Sequence, residues 1–97
     1  MIVRIVKLMI SKKKTIDFCL FFNTKKSQVE KINSFIKVEL FQNTEELNLY
    51  FTYSDWEDEE LLDNYRNSVF FKNVWSNTKL YFCGKAVAWS VNKSTNE

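Results

Sequence analysis

The pattern of apolar and polar residues along the first third of the chain predicts a strand followed by an amphipathic helix. Residues 2–10 are a β-branched run with few polar positions, which is typical of a strand that is covered on both faces. Over residues 15–31, apolar side chains recur at helical spacing. The apolar face of this helix consists of Phe18, Phe21, Phe22, Val29 and Ile32. Asn33 and Ser34 then provide a stop and a turn without glycine.

Two further strands are predicted in the middle of the chain, at residues 35–42 and 47–56. The polar residues 43–46 between them have the length of a hairpin connection. In the second of these strands, the odd-numbered and the even-numbered positions both carry aromatic or aliphatic side chains. Since successive side chains of a strand point to opposite faces of the sheet, this pattern predicts cover on each side.

An acidic run opens the next helical region, where negative charge complements the positive end of the helix dipole. The run occupies residues 57–60, and Ser54 with Glu57 forms a possible capping pair at its start. A polar break at residues 67–68 suggests that the helix stops and is capped again. Apolar residues at helical spacing then continue to about Phe82.

The end of the chain completes a recognisable order of elements. Gly84 stands where a glycine that caps a helix C-terminus belongs. Residues 85–91 form a last strand, with Trp89 on the same face as Val87. The resulting order, β-α-β-β-α-β, predicts an α+β fold, the ferredoxin-like sandwich of a sheet with both helices on one face. We expect one domain over residues 1–97, as the length suggests.

A second copy of the chain is expected to complete this fold. Helices on one face leave the other face of the sheet to water, and a monomer would place polar residues there. The first and third strands instead carry apolar side chains on both faces. The pattern therefore predicts a homodimer in which two sheets close into a dimeric α/β barrel.

The amino-acid composition excludes several classes of catalytic and binding site. The 97 residues contain no histidine, no proline and one glycine. Without histidine there is no imidazole base, no histidine metal ligand and no Ser-His or Cys-His pair, and a single glycine cannot form a glycine-rich phosphate loop. A net charge of +2 is too near neutral to indicate nucleic acid or a membrane surface as partner.

The amino-terminal segment and the cysteines favour a cytoplasmic protein. Arg4 and Lys7 interrupt the apolar start, and a lysine run at residues 12–14 follows it, which is the reverse of the order in a signal peptide. No stretch approaches the roughly 20 apolar residues of a membrane span. Cys19 and Cys83 are far apart in sequence and fit a pair of reduced thiols better than a disulfide.

Several segments resemble the antibiotic biosynthesis monooxygenase family, in a small bacterial branch of it. They are YFTYSDWE at residues 50–57, NYRNS at 64–68, FKNVW at 71–75, AWSV at 88–91 and the opening MIVRIVK at 1–7. The resemblance spans essentially the whole chain. It implies a dimeric α/β barrel built from ferredoxin-like subunits, the architecture that the pattern of elements also predicts.

The resemblance implies one of two kinds of chemistry. Some members oxidise small aromatic or quinol-type substrates with molecular oxygen and no metal or flavin, and others degrade haem through an axial histidine. Trp75 stands near that ligand position, and Tyr65 stands where many members have His or Trp. Phe70 replaces a second frequent histidine, and Lys7 replaces an asparagine of haem-degrading members. A chain without histidine therefore disfavours the haem branch, and no cofactor or metal is expected.

Six residues are candidates for a site between the helices and the sheet. Tyr65, as a proton donor, and Trp75 are the candidate catalytic residues, and the candidate substrate-binding residues are Trp56, Trp89, Phe71 and Arg66. Each aromatic residue can equally be a core side chain with a locally satisfied polar tip. Arg66 can pair with an anionic group of a substrate or simply be exposed beside Asp63. Arg4 fits either a cavity or the dimer interface.

Two functions are compatible with these sequence features. The first is a cofactor-independent monooxygenase-like protein that takes a small aromatic or quinol-type substrate, and the alternative is a non-catalytic dimeric protein that binds a small ligand or a partner. The element order also fits an RNA-recognition domain with residues 50–53 as a stacking platform. The Lys/Arg-Gly pair of that signature is missing, so no nucleic acid partner is expected.

Overall fold

A four-stranded antiparallel sheet with helices on one face forms the fold of this chain in the computed structural model, which describes residues 1–32 and 37–92. In chain order, the elements are β1 (Ile2–Met9), α1 (Thr15–Ile32), β2 (Lys37–Gln42), β3 (Leu49–Trp56), α2 (Glu59–Arg66), α3 (Val69–Thr78) and β4 (Val87–Asn92). Single 3₁₀ turns precede α1 and follow α3. The predicted turn at Asn33 and Ser34 lies outside the described residues. None of the described helices is long and apolar enough to cross a membrane.

The strand order is β2-β3-β1-β4, with all neighbours antiparallel. β1 lies in the centre, and its register places Arg4 opposite Ser54 of β3 and opposite Ser90 of β4. β2 and β3 form the predicted hairpin. This arrangement is the ferredoxin-like α+β sandwich that the order of elements predicted.

The core lies between the sheet and the helices in two clusters at opposite ends of the strands. One cluster contains Leu8, Phe18 and Tyr50, and the other contains Val29, Trp56 and Leu62. The even-numbered residues of β1 and β3 therefore face the helices. Because side chains alternate along a strand, the odd-numbered residues point to the opposite side.

The opposite side of the sheet is apolar and has no helix over it among the described residues; we call it the bare face. Ile5 lies on it, directly beside Trp89 of β4. Trp89 is 45% exposed, and Val87 and Val91 on the same strand are exposed to a similar extent. Phe41 of β2 adds a further exposed ring. Adjacent exposed apolar side chains of this kind are typical of surfaces that bind another molecule.

Side-chain hydrogen bonds, rather than glycines, define the turns and helix starts. Asn43 Oδ1 accepts from the backbone N–H of Glu45 and of Glu46, at 2.8 Å each, which closes the hairpin loop. Asp58 caps α2 by accepting from the N–H of Leu61 at 2.9 Å. The predicted capping by Ser54 is wrong, because β3 continues through that residue to Trp56.

The break predicted at residues 67–68 separates α2 from α3, but the helix that follows is shorter than predicted. α3 ends at Thr78, a 3₁₀ turn follows, and Phe82 already pairs with Ile10 as a β-bridge. Gly84 is therefore not a helix cap, and its φ is not positive. A Cβ at Gly84 would lie 3.3 Å from Met9 Cβ, so the glycine permits a close approach to β1.

Candidate functional site

A cavity of about 310 Å³ lies between the sheet and the helices, between the two core clusters. β1, β3 and β4 supply most of its floor, and α1, α2 and α3 supply its walls. Its volume is at the lower end of the range of small-molecule sites, so it suits a small ligand.

Aromatic rings form a continuous series along the helix side of the cavity. The Tyr65 ring lies 5.0 Å from the Trp56 ring and 5.1 Å from the Phe71 ring, measured between centroids. Phe71 stacks on Trp75 at 6.2 Å with an interplanar angle of 8°, and Trp75 meets Phe82 edge-on at 5.6 Å. All of them except Phe82 line the cavity. Such a wall offers both faces and edges of rings to a flat ligand.

A polar row crosses the floor of the cavity. Arg4 Nη1 donates to Ser90 Oγ at 2.9 Å, and the indole N–H of Trp56 donates to Ser54 Oγ at 2.9 Å. Along the strands, the next positions on this face are Val6 of β1 and Ala88 of β4. Ala88 lines the cavity, and its small side chain leaves room above the sheet at this position.

Tyr65 is the titratable aromatic residue of the cavity. It lies in the last turn of α2, between the Trp56 and Phe71 rings. Burial raises its pKa to about 12, because the low-dielectric surroundings disfavour the phenolate. The hydroxyl is therefore protonated at neutral pH. It can donate a hydrogen bond or a proton, but it cannot act as a base there.

Five of the six candidate site residues come together in the cavity. They are Trp56, Tyr65, Arg66, Phe71 and Trp75, which line it from β3, α2 and α3. Trp56 is also buried in the second core cluster, so its ring has a packing role as well as a lining one.

The prediction that Trp89 lines the cavity is wrong. β4 pairs with β1 so that Ala88 lies beside Val6 on the cavity side and Trp89 lies beside Ile5 on the bare face. Alternation along β4 therefore carries the indole to the opposite side of the sheet. Lys7 and Glu39 also occupy bare-face positions of their strands, whereas Arg4 faces the cavity.

Several lining residues were not among the sequence candidates. Lys25 and Lys26 reach the cavity from α1, and Thr52, Ser54 and Ala88 reach it from the sheet. One signal was present in the sequence: in β4 the small residues Ala88 and Ser90 have even numbers, whereas the large apolar residues have odd numbers. Because the sequence does not show whether the even-numbered or the odd-numbered residues face the helices, this signal does not distinguish the floor of a cavity from an exposed surface.

Ser68 joins the two helices that carry the aromatic wall. Its Oγ donates to the carbonyl of Tyr65 at 2.6 Å and accepts from the N–H of Phe71 at 3.1 Å, as the N-cap of α3. We expect Ser68→Ala to lower the free energy of unfolding by about 1 kcal/mol, the usual cost of losing an N-cap. Ser76→Ala, on an exposed position of the same helix, is the control and should change little in urea unfolding. Equal effects of the two substitutions would contradict the capping role.

The fold and the sequence both relate this chain to known proteins. A crystal structure of an antibiotic biosynthesis monooxygenase superposes with a TM-score of 0.85 at 10% identity, covering 97% of this chain and 99% of the other. A conserved protein from Methanosarcina mazei Go1 gives 0.85 at 19% identity, with 96% and 93% covered. A proposed antibiotic biosynthesis monooxygenase from Caulobacter crescentus CB15 gives 0.87 at 15% identity, with 96% and 89% covered.

Comparison of sequences, rather than of folds, identifies the family of this chain. No curated protein matches the chain significantly. The sequence model of the family described as antibiotic biosynthesis monooxygenase matches residues 1–75, which is most of the chain and includes the floor strands β1 and β3 and the aromatic wall up to Trp75. The chain belongs to the antibiotic biosynthesis monooxygenase family.

Proposed function

We propose that this protein is a cofactor-independent monooxygenase-like protein that acts on a small aromatic or quinol-type substrate in the cavity. The observation that carries the proposal is the cavity of about 310 Å³, walled by stacked rings and containing a half-buried, protonated Tyr65. Membership of the family supports a monooxygenase-like role.

The proposed reaction draws its electrons from the substrate itself. In an anthrone, for example, the methylene carbon becomes a carbonyl. One oxygen atom of O₂ enters the product, and the other leaves as water with the two hydrogens of the methylene. The protein's part is to hold the ring system, exclude bulk water and favour the electron-rich anion from which oxygen accepts electrons.

Trp75 and Tyr65 have different roles in the proposed reaction: the first positions the substrate ring, and the second donates a hydrogen bond. Phe71 and Trp75, stacked at 8°, present a flat surface against which the substrate ring lies. The Tyr65 hydroxyl donates a hydrogen bond to the substrate oxygen as negative charge develops on it. The raised pKa of Tyr65 keeps the donor proton in place throughout.

The active form is proposed to be a homodimer that buries the bare face. Trp89, Val87 and Val91 expose an apolar strip on β4 that a second copy would cover. Closure of the two sheets against each other would leave the cavity of each protomer intact, because the cavity lies on the other side of the sheet.

The second candidate function is ligand binding without turnover. The titratable side chains that line the described cavity are Tyr65, two arginines and two lysines, and none of these types has a reference pKa near 7. A substrate with an ordinary phenolic pKa would then have to lose its proton to water. This observation favours a binding protein over an enzyme for weakly acidic ligands.

Oxygen consumption with a panel of hydroquinones and anthrones tests the proposed function. We expect uptake above the uncatalysed rate, and we expect Tyr65→Phe to reduce that excess about 100-fold, the typical effect of removing one donor to a developing oxyanion. Tyr81→Phe is the matched control, because Tyr81 does not line the cavity and keeps its ring contacts with Phe18 and Phe21 as phenylalanine. Its rate should stay at the wild-type value.

The double variant Tyr65→Phe/Trp75→Ala sets the baseline of this assay. If the wild-type protein consumes oxygen no faster than the double variant with every substrate, the monooxygenase proposal is wrong. Tight binding of an anthrone with no turnover would support the ligand-binding function instead.

A further inference from the structure

The charges around the cavity are all of one sign. Arg4, Lys25, Lys26 and Arg66 line it, and no carboxylate is found among the described lining residues. The chain as a whole has 14 basic and 12 acidic residues, so a random sample of its charges would be mixed. A cavity that is apolar in most of its lining but bordered only by cations favours a ligand with negative charge.

Within residues 1–32 and 37–92, no carboxylate pairs with the partly buried Arg4. Burial and the nearby charge of Arg66 both lower the pKa of Arg4, whereas an adjacent carboxylate would raise it. Its hydrogen bond to Ser90 is to a neutral hydroxyl. A guanidinium carries five N–H donors, so most of them remain available to a group in the cavity.

Arg4 and Arg66 approach the same end of the cavity from two layers. Arg4 lies on the floor, in the row that includes Ser54, whose Oγ accepts from the Trp56 indole. Arg66 follows Tyr65 in α2, and the Tyr65 ring lies 5.0 Å from the Trp56 ring. Both arginines line the cavity, and the charge of Arg66 acts on Arg4, so the two guanidinium groups lie near the same end of it.

The other end of the cavity is mostly apolar, with Thr52 beside Val6 as a polar exception. Val6, Ala88, Val74 and the stacked pair Phe71 and Trp75 line it. Planar guanidinium groups bind carboxylates through paired hydrogen bonds, and rings bind to stacked rings through their faces. The cavity thus has a cationic end and an aromatic end.

We propose that the ligand of this cavity is a flat aromatic molecule that carries a carboxylate or comparable anionic group, with the anionic group between Arg4 and Arg66 and the ring against Phe71 and Trp75. The inference deepens the proposed function, on which it rests for the identity of the site. Lys25 and Lys26 lie at the same cavity from α1 and add to its attraction for anions.

Calorimetric titration with 2-naphthoate and 2-naphthamide tests the inference, because the two probes have the same ring system and differ in charge. We expect 2-naphthoate to bind at least about ten-fold more tightly, as charge-assisted hydrogen bonds provide. Arg4→Gln and Arg66→Gln should each remove most of this preference and leave the affinity for 2-naphthamide nearly unchanged. Lys72→Gln removes an exposed charge of α3 that does not line the cavity and should leave both affinities unchanged.

Arg66→Gln keeps the test decisive if Arg4→Gln does not fold, because Arg66 is exposed and its loss should not disturb the core. Equal affinity for the two probes, or binding of neither, would overturn the inference. So would a preference for 2-naphthoate that survives Arg66→Gln. If the protein consumes oxygen with neutral hydroquinones but binds the two probes equally, the inference is wrong and the proposed function stands. If the protein prefers 2-naphthoate but turns over no substrate, the proposed function is wrong and the inference stands.

Discussion

Trp89→Lys is expected to convert the proposed dimer into monomers at micromolar concentration. Trp89 lies on the bare face of the edge strand β4, beside Ile5, and it is 45% exposed in the single chain. A large aromatic residue that an interface buries can contribute about 2 kcal/mol or more, and a two-fold axis places the substitution in the interface twice. We therefore expect the dissociation constant to rise by about a thousandfold.

Sedimentation equilibrium at several protein concentrations measures this change. Leu20→Lys is the control, because Leu20 is an exposed apolar residue of α1, on the layer away from the bare face. It should leave the dissociation constant unchanged. A wild-type protein that sediments as a monomer at micromolar concentration would contradict the proposed dimer, and a Trp89→Lys variant that stays dimeric would assign the interface to another surface.

Phe18→Ala is expected to lower the free energy of unfolding by about 3–5 kcal/mol, the usual cost of removing a buried phenylalanine ring. The Phe18 side chain is 1% exposed, and its ring centroid lies 5.3 Å from that of Tyr50 and 5.9 Å from that of Tyr81. Truncation leaves a cavity where α1 packs on the sheet and removes these ring contacts. Since small domains unfold with about 5–15 kcal/mol, the loss is a large part of the total.

Urea unfolding measures the effect at one fixed protomer concentration, because dimerisation makes apparent stability depend on concentration. Leu20→Ala on the same helix is the control and should change the free energy of unfolding by less than about 0.5 kcal/mol, since its side chain is largely exposed. A similar loss in both variants would contradict the role of Phe18 packing, because alanine is a strong helix former and its helix propensity cannot account for a loss.

Hydrophobic periodicity was sufficient to predict the fold. The apolar runs of β1 and β3 and the helical spacing of Phe18 and Val29 indicated the correct elements in the correct order. Errors occurred at their ends: Asp58, and not Ser54, caps α2, and Gly84 permits a close approach to Met9 instead of capping a helix. Element ends depend on single hydrogen bonds and contacts, which a periodic pattern does not specify.

The candidate site was predictable in part. The aromatic residues near the break between α2 and α3, Tyr65, Phe71 and Trp75, were singled out, and they do line one cavity. Trp89 was placed there wrongly, and the floor residues Thr52 and Ala88 were missed. Both faces of the strands are rich in apolar side chains, so the sequence did not indicate which face the helices cover.

By itself, the sequence determined the order of elements, the family, the absence of histidine chemistry and the excess of apolar side chains on both faces of the sheet. Only the tertiary structure decided which face carries the cavity and which stays bare, because that depends on how the helices pack on the sheet. The same packing brings Arg4 from β1 and Arg66 from α2 to one end of a cavity. Proximity of residues so distant in sequence depends on the packing of the helices on the sheet, and no local pattern encodes it.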